Sequence, residues 1–322
     1  MAVALNTLFD RRRLALTRAR LRAWWEGEEF DEASAAAAVE GAANDRAPGV
    51  EEELFDEPEY EPPPRLEALA ALWGENRIRP GDSTADKLEL ARIGLPPEGV
   101  LAVIGAGHAG PLIAAAAAHP GKIDAFEWRE ETIEALKHGV RKSKLDERVS
   151  VARIDLEAVV LASDAYDGVL SVDDFAFCAY PPHLAQQIMK CLKPGACAVV
   201  ECYAGFRAAE LATAFASSFA EPQIRAHGDL LQFFTDAGLL LEADEDLTEE
   251  FLDTARESFK RLSQTLTQSG NLEPAAAREL AWEAEAWRMR LKLLSQRRLE
   301  RRRFILRKPA EDQAGNENAP AG

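Results

Sequence analysis

A short apolar run that ends in closely spaced glycines constrains this chain more than any other part of its sequence. The run covers residues 100–104, and Gly105, Gly107 and Gly110 follow it. Its length is typical of a strand buried on both faces, and the alanine-rich residues 109–119 predict a helix. In such a unit, glycine lets a ligand approach the backbone, and the helix N-terminus presents free N–H groups to it. The unit predicts a ligand site, which nicotinamide and flavin dinucleotides would also fit.

Downstream of this unit, strand-like and helix-like patterns alternate. Further strands are predicted at residues 123–128, 149–154, 168–172, 196–202, 239–242 and 303–306. Such alternation predicts a doubly wound α/β fold, in which a mostly parallel sheet carries helices on both faces. A long helical pattern at about residues 249–298 predicts a helical insertion before the last strand.

Both ends of the chain differ in composition from this core, which we place at residues 65–308. Residues 1–25 have the pattern of a basic amphipathic helix, which would dock on its own domain or make weak contact with a partner or a membrane surface. Residues 26–64 are acidic and contain several prolines. They predict a disordered linker, because they cannot bury enough surface to offset their chain entropy. The polar residues 309–322 predict a disordered tail.

The charge of the chain bears on its partners. The formal net charge is −17 over 322 residues, which would repel nucleic acid, so we expect a small-molecule substrate, more readily neutral or cationic. No apolar stretch is long enough to span a bilayer and no secretory signal is apparent, so we expect a cytoplasmic protein with no integral membrane segment. The histidines are scattered singly, so no metal site is expected.

Two acidic residues follow the glycine turn at informative positions. Glu127 lies about 20 positions beyond it, at the end of the next predicted strand, where a carboxylate can accept hydrogen bonds from both hydroxyls of a ribose. Asp155 follows the third strand, where its side chain could receive the amino group of adenine. NAD and S-adenosylmethionine both fit this spacing.

Three further motifs help to separate these possibilities. Residues 171–175 read Ser-Val-Asp-Asp-Phe after the fourth strand, residues 192–195 read Leu-Lys-Pro-Gly, and residues 236–239 read Asp-Ala-Gly-Leu. The whole series, from about Trp73 to Arg307, resembles the class I methyltransferase family. The resemblance implies a Rossmann-like sheet of seven strands with the last antiparallel. The helical insertion is similar to that of the small-molecule branch.

The resemblance also implies an activity and a site. The activity is transfer of the methyl group of S-adenosylmethionine to a small-molecule acceptor, by in-line displacement at the sulfonium. The residues that would line the cofactor are Gly105, Ala106, Gly107, Gly110, Glu127, Trp128, Asp155, Leu156 and Asp173. Candidate general bases after the fourth strand are Asp173, Asp174 and His183. The segment from Trp73 to Arg77 resembles one that closes over the cofactor in some relatives.

Two other functions stay open. An NAD(P)-dependent oxidoreductase would share the glycine turn and Glu127, although the sequence has no Tyr-x-x-x-Lys pair. A non-catalytic, methyltransferase-like interaction protein is the second alternative. Val103 stands where the family often has an acidic residue, and Ala109 stands where its third glycine often falls.

Overall fold

The described part of the chain begins at Tyr60, so most of the predicted linker lies outside it. A computed structural model describes residues 60–205, 223–269 and 272–310, so the predicted basic helix and nearly all of the predicted tail lie outside the described residues. The end of the predicted linker is structured. The Tyr60 ring stacks on His138 with centroids 4.7 Å apart, and Pro64 opens a helix, where its fixed φ is favourable.

A single sheet forms the centre of the described structure. Its strands are β1 (Val100–Ile104), β2 (Lys122–Glu127), β3 (Val149–Arg153), β4 (Tyr166–Val172), β5 (Leu192–Gly205), β6 (Arg225–Ala226), β7 (Leu240–Asp246) and β8 (Leu299–Arg307). They lie in the order β3-β2-β1-β4-β5-β8-β7, with the two-residue β6 beside β5. The pairs among β1 to β5 are parallel, whereas β8 is antiparallel to both of its neighbours. The predicted mostly parallel, seven-stranded sheet is confirmed, with β6 as an addition.

Helices cover both faces of this sheet. They are α1 (Pro64–Trp73), α2 (Ser83–Ala91), α3 (Ala109–Ala118), α4 (Glu130–Lys142), α5 (Pro181–Cys191), α6 (His227–Asp236), α7 (Thr248–Ser269) and α8 (Pro274–Ser295). Alternate side chains of β1 point to opposite faces of the sheet, and both sets are apolar and need helices to cover them. Ala102 and Ile104 pack into a core shared with α5 and α6, while Leu101 and Val103 pack into another shared with α3 and α4. A strand buried on both faces needs such a continuous apolar run.

The helical insertion consists of the two long helices α7 and α8, which pack with α1 around a third core. Trp73 is almost fully buried there, and its ring centroid lies 4.4 Å from that of Trp287 on α8. Aromatic pairs at this distance add to the stabilisation from their buried area. The three helices thus form one layer. Within the part of the chain that the structure describes, no helix has the length and apolarity needed to cross a membrane.

Candidate active site

The glycine turn after β1 is tightly enclosed by its own chain. Gly105 and Gly107 both have φ of +70°, which other residues rarely adopt. A Cβ atom on Gly105 would overlap the Val172 carbonyl and the Asp174 side chain, whereas one on Gly107 would lie 3.0 Å from the end of the Ile78 side chain. Gly105 therefore serves the packing of β1 against β4, and Gly107 faces the loop between α1 and α2.

That loop lies directly over the turn. The Gly110 N–H donates to the Asn76 carbonyl at 2.9 Å, and Arg79 Nη1 lies 3.5 Å from the Gly105 carbonyl oxygen. The resemblance predicts that the segment from Trp73 to Arg77 closes over a cofactor. In the structure, this segment and the residues directly after it contact the glycine turn.

The N-terminus of α3 departs from the sequence expectation of free N–H groups. The Ala109 N–H donates to His108 Nδ1 at 2.8 Å, the Gly110 N–H is bound by Asn76, and Pro111 has no N–H. Burial lowers the pKa of His108 to about 4, so its ring is neutral near pH 7 and accepts this hydrogen bond. The helix end therefore has little donor capacity left for an anion.

Glu127 ends β2 and is fully buried. Its Oε2 accepts the Gly107 N–H at 2.6 Å, and its Oε1 accepts the N–H groups of Trp128 and Arg129 at 3.0 and 2.8 Å. A carboxylate has about four acceptor positions. Three of them are filled by the backbone, and Arg129 Nη1 lies within 3.2 Å of both oxygens. The predicted carboxylate is at the turn, but at most one position remains for a ribose hydroxyl, not two.

A cleft beside Glu127 joins the ends of β2 and β3. Trp128, Ile154, Asp155, Leu156 and Phe177 line it. The ring centroids of Trp128 and Phe177 lie 4.3 Å apart. Leu156 is buried, and Asp155 is exposed at the rim of the cleft. The structure thus brings together three of the predicted cofactor residues. Ala106, another of them, is buried within the turn.

A second cavity, of about 240 Å³, lies between the helical layer and the carboxyl ends of the strands. Arg65 and Leu69 of α1 line one side, and Trp282, Glu283, Ala286, Trp287 and Arg290 of α8 line another. Asp173, Phe177 and Tyr203 face it from the ends of β4 and β5, and Arg129 from the end of β2. Ligands of open α/β sheets bind at this edge.

Asp173 enters the cavity from a strained backbone position. Its φ is +70°, and its N–H donates to the Glu201 carbonyl at 2.8 Å. Its carboxylate is ion-paired with Arg301, whose Nη2 lies 3.2 Å from Glu201 Oε2. Burial by itself would raise the pKa of Asp173, but Arg301, Arg79 and Arg129 outweigh it and hold the pKa below its ordinary value. The carboxylate is therefore ionised near pH 7.

Asp174, the next residue, lies behind the cavity wall. It is fully buried and accepts hydrogen bonds from Ser171 Oγ at 2.8 Å and from Trp128 Nε1 at 2.9 Å. Burial raises its pKa to about 7, although Arg129 partly offsets this. Asp174 therefore connects the end of β4 to the Trp128 indole, rather than facing the cavity.

Comparison with known proteins explains this arrangement. Residues 102–200, from β1 into β5, match the family model described as "Methyltransferase domain". The chain has the Rossmann-like methyltransferase fold, and its match to the methyltransferase domain covers residues 102–200. A search of the curated proteins finds no match.

Solved structures with the methyltransferase fold cover most of the chain. Phosphoethanolamine N-methyltransferase 2 of Haemonchus contortus is 21% identical, with a TM-score of 0.66, over 76% of this chain and 57% of its own length. The [4+2]-cyclase SpnF is 16% identical, with a TM-score of 0.60, over 77% of this chain and 93% of its own. Geranyl diphosphate C-methyltransferase of Streptomyces coelicolor is 13% identical, with a TM-score of 0.54, over 70% of this chain and 79% of its own.

Within the methyltransferase domain, His183 does not join the other candidate bases. It lies on α5, and its Nε2 is 2.9 Å from the Val159 carbonyl oxygen, which only a protonated nitrogen can satisfy. It is not among the described residues that line the second cavity. The prediction of a catalytic role rested on sequence position after β4, but the turn of α5 directs this side chain to the loop before β4.

Four arginines near these candidate residues were not predicted as site residues. Arg79, Arg129 and Arg290 line the second cavity, and Arg301 holds Asp173. Arg129 follows the predicted Trp128 directly, whereas Arg79 depends on the loop after α1, and Arg290 and Arg301 depend on the packing of α8 and β8. No spacing pattern in the sequence connects those elements to the glycine turn.

Proposed function

We propose that this chain binds S-adenosylmethionine and transfers its methyl group to a small-molecule acceptor. The observation that carries the proposal is the adjacency of Glu127, which is hydrogen-bonded to the glycine turn, and the cleft between Trp128 and Leu156. A ribose beside the carboxylate would place its base in this cleft. The family match over residues 102–200 supports the same cofactor.

The residues fit this cofactor once two side chains, Ile78 and Arg129, move. A ligand can approach the backbone of Gly107 when the end of the Ile78 side chain moves aside, and this side chain is flexible. Asp155 at the rim would accept from the adenine amino group, and Arg79, near Gly105 and Gly107, would bind the carboxylate of the methionine portion. Arg129 has to leave Glu127 before a ribose hydroxyl can bind there.

The same contacts disfavour a dinucleotide. NAD and NADP carry a pyrophosphate, which such turns bind through free N–H groups at the helix N-terminus. His108 and Asn76 already bind those of Ala109 and Gly110. S-adenosylmethionine has no phosphate and does not need them. We therefore set the oxidoreductase alternative below methyl transfer.

Bound S-adenosylmethionine supplies an electrophilic methyl group with a good leaving group. The protein then needs mainly to align the acceptor and exclude water. Phe177, Tyr203 and Trp287 give the cavity apolar walls, which exclude water from the methyl group. Asp173 would accept a hydrogen bond from an N–H or O–H of the acceptor and orient it. Because its pKa is lowered, Asp173 is a poor proton acceptor, and we assign it orientation rather than proton removal.

Arg301 acts through Asp173. Its guanidinium is 2% exposed and binds both Asp173 and Glu201 across the ends of β4, β5 and β8. These contacts hold Asp173 in its strained conformation, so we propose Arg301 as the positioning residue of the site.

A non-catalytic role is the second candidate. The ion pair of Arg129 with Glu127 occupies the ribose position, and Val103 is buried where the family often has an acidic residue. The cyclase among the structural neighbours shows that a protein named for another reaction has this fold. Two further proposals rest on composition. We propose that the protein acts in the cytoplasm, and that residues 1–25 contact a partner or a membrane surface.

Turnover separates the two candidates. Purified protein is incubated with S-adenosylmethionine and a fractionated pool of cellular small molecules, and release of S-adenosylhomocysteine is measured. Methyl transfer predicts release with at least one fraction, and loss of that release in Asp173→Ala. Tight binding of S-adenosylmethionine with no release from any fraction would favour the non-catalytic candidate.

A further inference from the structure

A buried pair of carboxyl groups joins α2 to β5. Glu89 of α2 is 8% exposed, and a hydrogen bond joins its carboxyl group to that of Glu201 on β5. Ionised carboxylates only accept hydrogen bonds, so one of the two groups has to carry a proton. The pair therefore holds one proton in the interior of the protein.

The arginines of β8 show which group is ionised. Glu201 Oε1 accepts a hydrogen bond from Arg303 Nε at 2.7 Å, and Glu201 Oε2 accepts one from Arg301 Nη2 at 3.2 Å. Burial by itself would raise the pKa of Glu201, but the two guanidinium groups outweigh it and hold the pKa below its ordinary value. Glu201 is therefore the ionised partner.

Glu89 lacks such donors. Its Oε1 is shielded from solvent, and no donor among the described residues lies within hydrogen-bonding distance of this oxygen. Burial raises the pKa of Glu89 well above its usual range, and the charge of Glu201 adds to this, although Arg79 and Arg303 partly offset both. A buried carboxylate oxygen without a donor is costly. Glu89 is therefore the neutral partner, and it donates to Glu201.

The other charged groups near Glu89 act in the same direction. A small cavity of about 80 Å³ adjoins the pair, between α2, α7 and strands β5 and β8. Apart from the pair and the arginines at 79, 301 and 303, its charged lining residues are Asp86 and Glu250. Their negative charge also favours a neutral Glu89. The proton thus stays on Glu89.

This proton affects how Arg301 is shared. The Arg301 guanidinium binds both Asp173 and Glu201. A hydrogen bond from Glu89 offsets part of the negative charge of Glu201, and an arginine shared by two carboxylates is drawn toward the one with the greater charge. Without the hydrogen bond, Arg301 would move toward Glu201 and hold Asp173 less firmly.

A role in packing alone accounts poorly for Glu89. Its neighbour Leu90 packs into the core, and an apolar side chain at position 89 would avoid the cost of burying a carboxyl group. Building on the proposed function, in which Asp173 orients the acceptor, we propose that Glu89 is a second positioning residue. It donates a hydrogen bond to Glu201 and thereby keeps Arg301 on Asp173.

Infrared spectroscopy of the full chain tests for the proton. The carbonyl band of a protonated carboxyl group is separate from the bands of carboxylates and of the backbone. Spectra are recorded at about pH 8, above the pKa of about 7 of Asp174. Subtracting the Glu89→Gln spectrum from that of the wild type should leave one such band. Glu98→Gln, at an exposed loop position, is the control and should leave none. A missing band for Glu89 would overturn the inference.

Double variants test the connection to Asp173. By urea titration, Asp173→Asn should lower stability less in a Glu89→Leu background than in the wild type, because Arg301 has already moved away from Asp173. In a Glu98→Leu background the loss should equal that in the wild type. A side chain that only packs would act independently of Asp173, so equal losses in all three backgrounds would contradict the proposed role.

Turnover tests the role of the hydrogen bond. Release of S-adenosylhomocysteine with the active fraction should fall by roughly tenfold or more in Glu89→Leu, because a displaced orienting group is costly to catalysis. Glu89→Gln should stay close to the wild type, since its amide still donates to Glu201. Both should bind S-adenosylhomocysteine normally. An equal loss in the two variants, or no loss in Glu89→Leu, would refute donation by Glu89.

The three measurements separate this inference from the proposed function. If the wild type releases no S-adenosylhomocysteine with any fraction, the proposed function is at fault, and the infrared and urea results still decide the role of Glu89. If Glu89→Leu does not fold, the infrared band lost in Glu89→Gln decides it.

Discussion

Arg129 Nη1 lies 3.0 Å from Oε1 and 3.2 Å from Oε2 of Glu127, and so takes the one acceptor position that the backbone leaves on this buried carboxylate. The guanidinium also lies 3.9 Å from the centroid of the Trp128 ring. One arginine thereby occupies the proposed ribose position and stacks on Trp128, which lines the proposed adenine cleft. Cofactor binding therefore requires this side chain to move.

Arg129→Met should bind S-adenosylhomocysteine more tightly than the wild type. Methionine keeps an apolar contact with Trp128 and removes the competing ion pair. A gain of about 1 kcal/mol, or roughly fivefold in affinity, is expected by calorimetry. Arg256→Met, at an exposed arginine paired with Asp253, is the control and should bind normally. A clear loss of affinity in Arg129→Met would mean that Arg129 itself binds the cofactor.

Glu127→Gln should weaken both binding and folding. An amide has one acceptor oxygen, so at least one of the three backbone N–H groups at this buried site loses its partner. We expect a loss of roughly 1–3 kcal/mol in the free energy of unfolding and roughly 10- to 150-fold in affinity for S-adenosylhomocysteine. Denaturant titration and calorimetry measure the two.

Glu130→Gln is the matched control for this change, since Glu130 is exposed and pairs with Arg153. It should fold and bind like the wild type. If Glu127→Gln behaves in the same way, the carboxylate holds neither the turn nor the ribose.

The two glycines of the turn should respond differently to alanine. In Gly105→Ala the new methyl group overlaps the Val172 carbonyl, which belongs to the backbone and cannot yield, so we expect severe destabilisation. In Gly107→Ala the methyl group meets the Ile78 side chain, so only the roughly 1–2 kcal/mol of a left-handed residue is expected. Gly107→Ala should instead lose most binding of S-adenosylhomocysteine. Equal destabilisation, or normal binding by Gly107→Ala, would contradict this division of roles.

Asp174 should make stability fall as the pH rises. Burial raises its pKa from about 3.8 to about 7, so between these values the folded protein holds a proton that the unfolded chain has released. Because of this group, the free energy of unfolding falls by about 1.4 kcal/mol for each pH unit in this range. Above about pH 7 the folded protein also releases the proton, so the stability that the proton provided is fully lost. Asp174→Asn has no such proton, so it should gain stability relative to the wild type across this range.

Urea titrations between pH 5 and 8 test this, with Asp146→Asn, at an exposed loop position, as the control. A constant difference between Asp174→Asn and the wild type over this range would show that Asp174 does not titrate there.

The parallel half of the sheet was predictable from sequence because its central strands β1, β4 and β5 carry apolar runs that are buried on both faces. Strand β8 was predicted only at residues 303–306 but extends over Leu299–Arg307. The first half of β8 is rich in charged residues, which lack the apolar pattern that predicts a strand. Arg301, Arg302 and Arg303 are accommodated because Asp173, Asp244 and Glu201 lie opposite them. Such pairing comes from distant parts of the chain, so no local pattern reveals it.

The sequence predicted that four candidate residues lie together better than it predicted their hydrogen bonding. Glu127, Trp128, Asp155 and Leu156 do lie together beside the glycine turn, because the ends of neighbouring parallel strands share one edge. The number of acceptor positions left on Glu127 depends on the backbone and on Arg129, which only coordinates reveal. Likewise, only coordinates reveal that Asp174 lies behind the cavity wall and does not face the cavity.

Calorimetric titration of the full chain with S-adenosylhomocysteine, and separately with NAD and NADP, tests the proposed function most directly. The contacts at Glu127 and at the N-terminus of α3 predict one S-adenosylhomocysteine per chain and no heat of binding from either dinucleotide. Binding of NAD or NADP, with none of S-adenosylhomocysteine, would contradict methyl transfer.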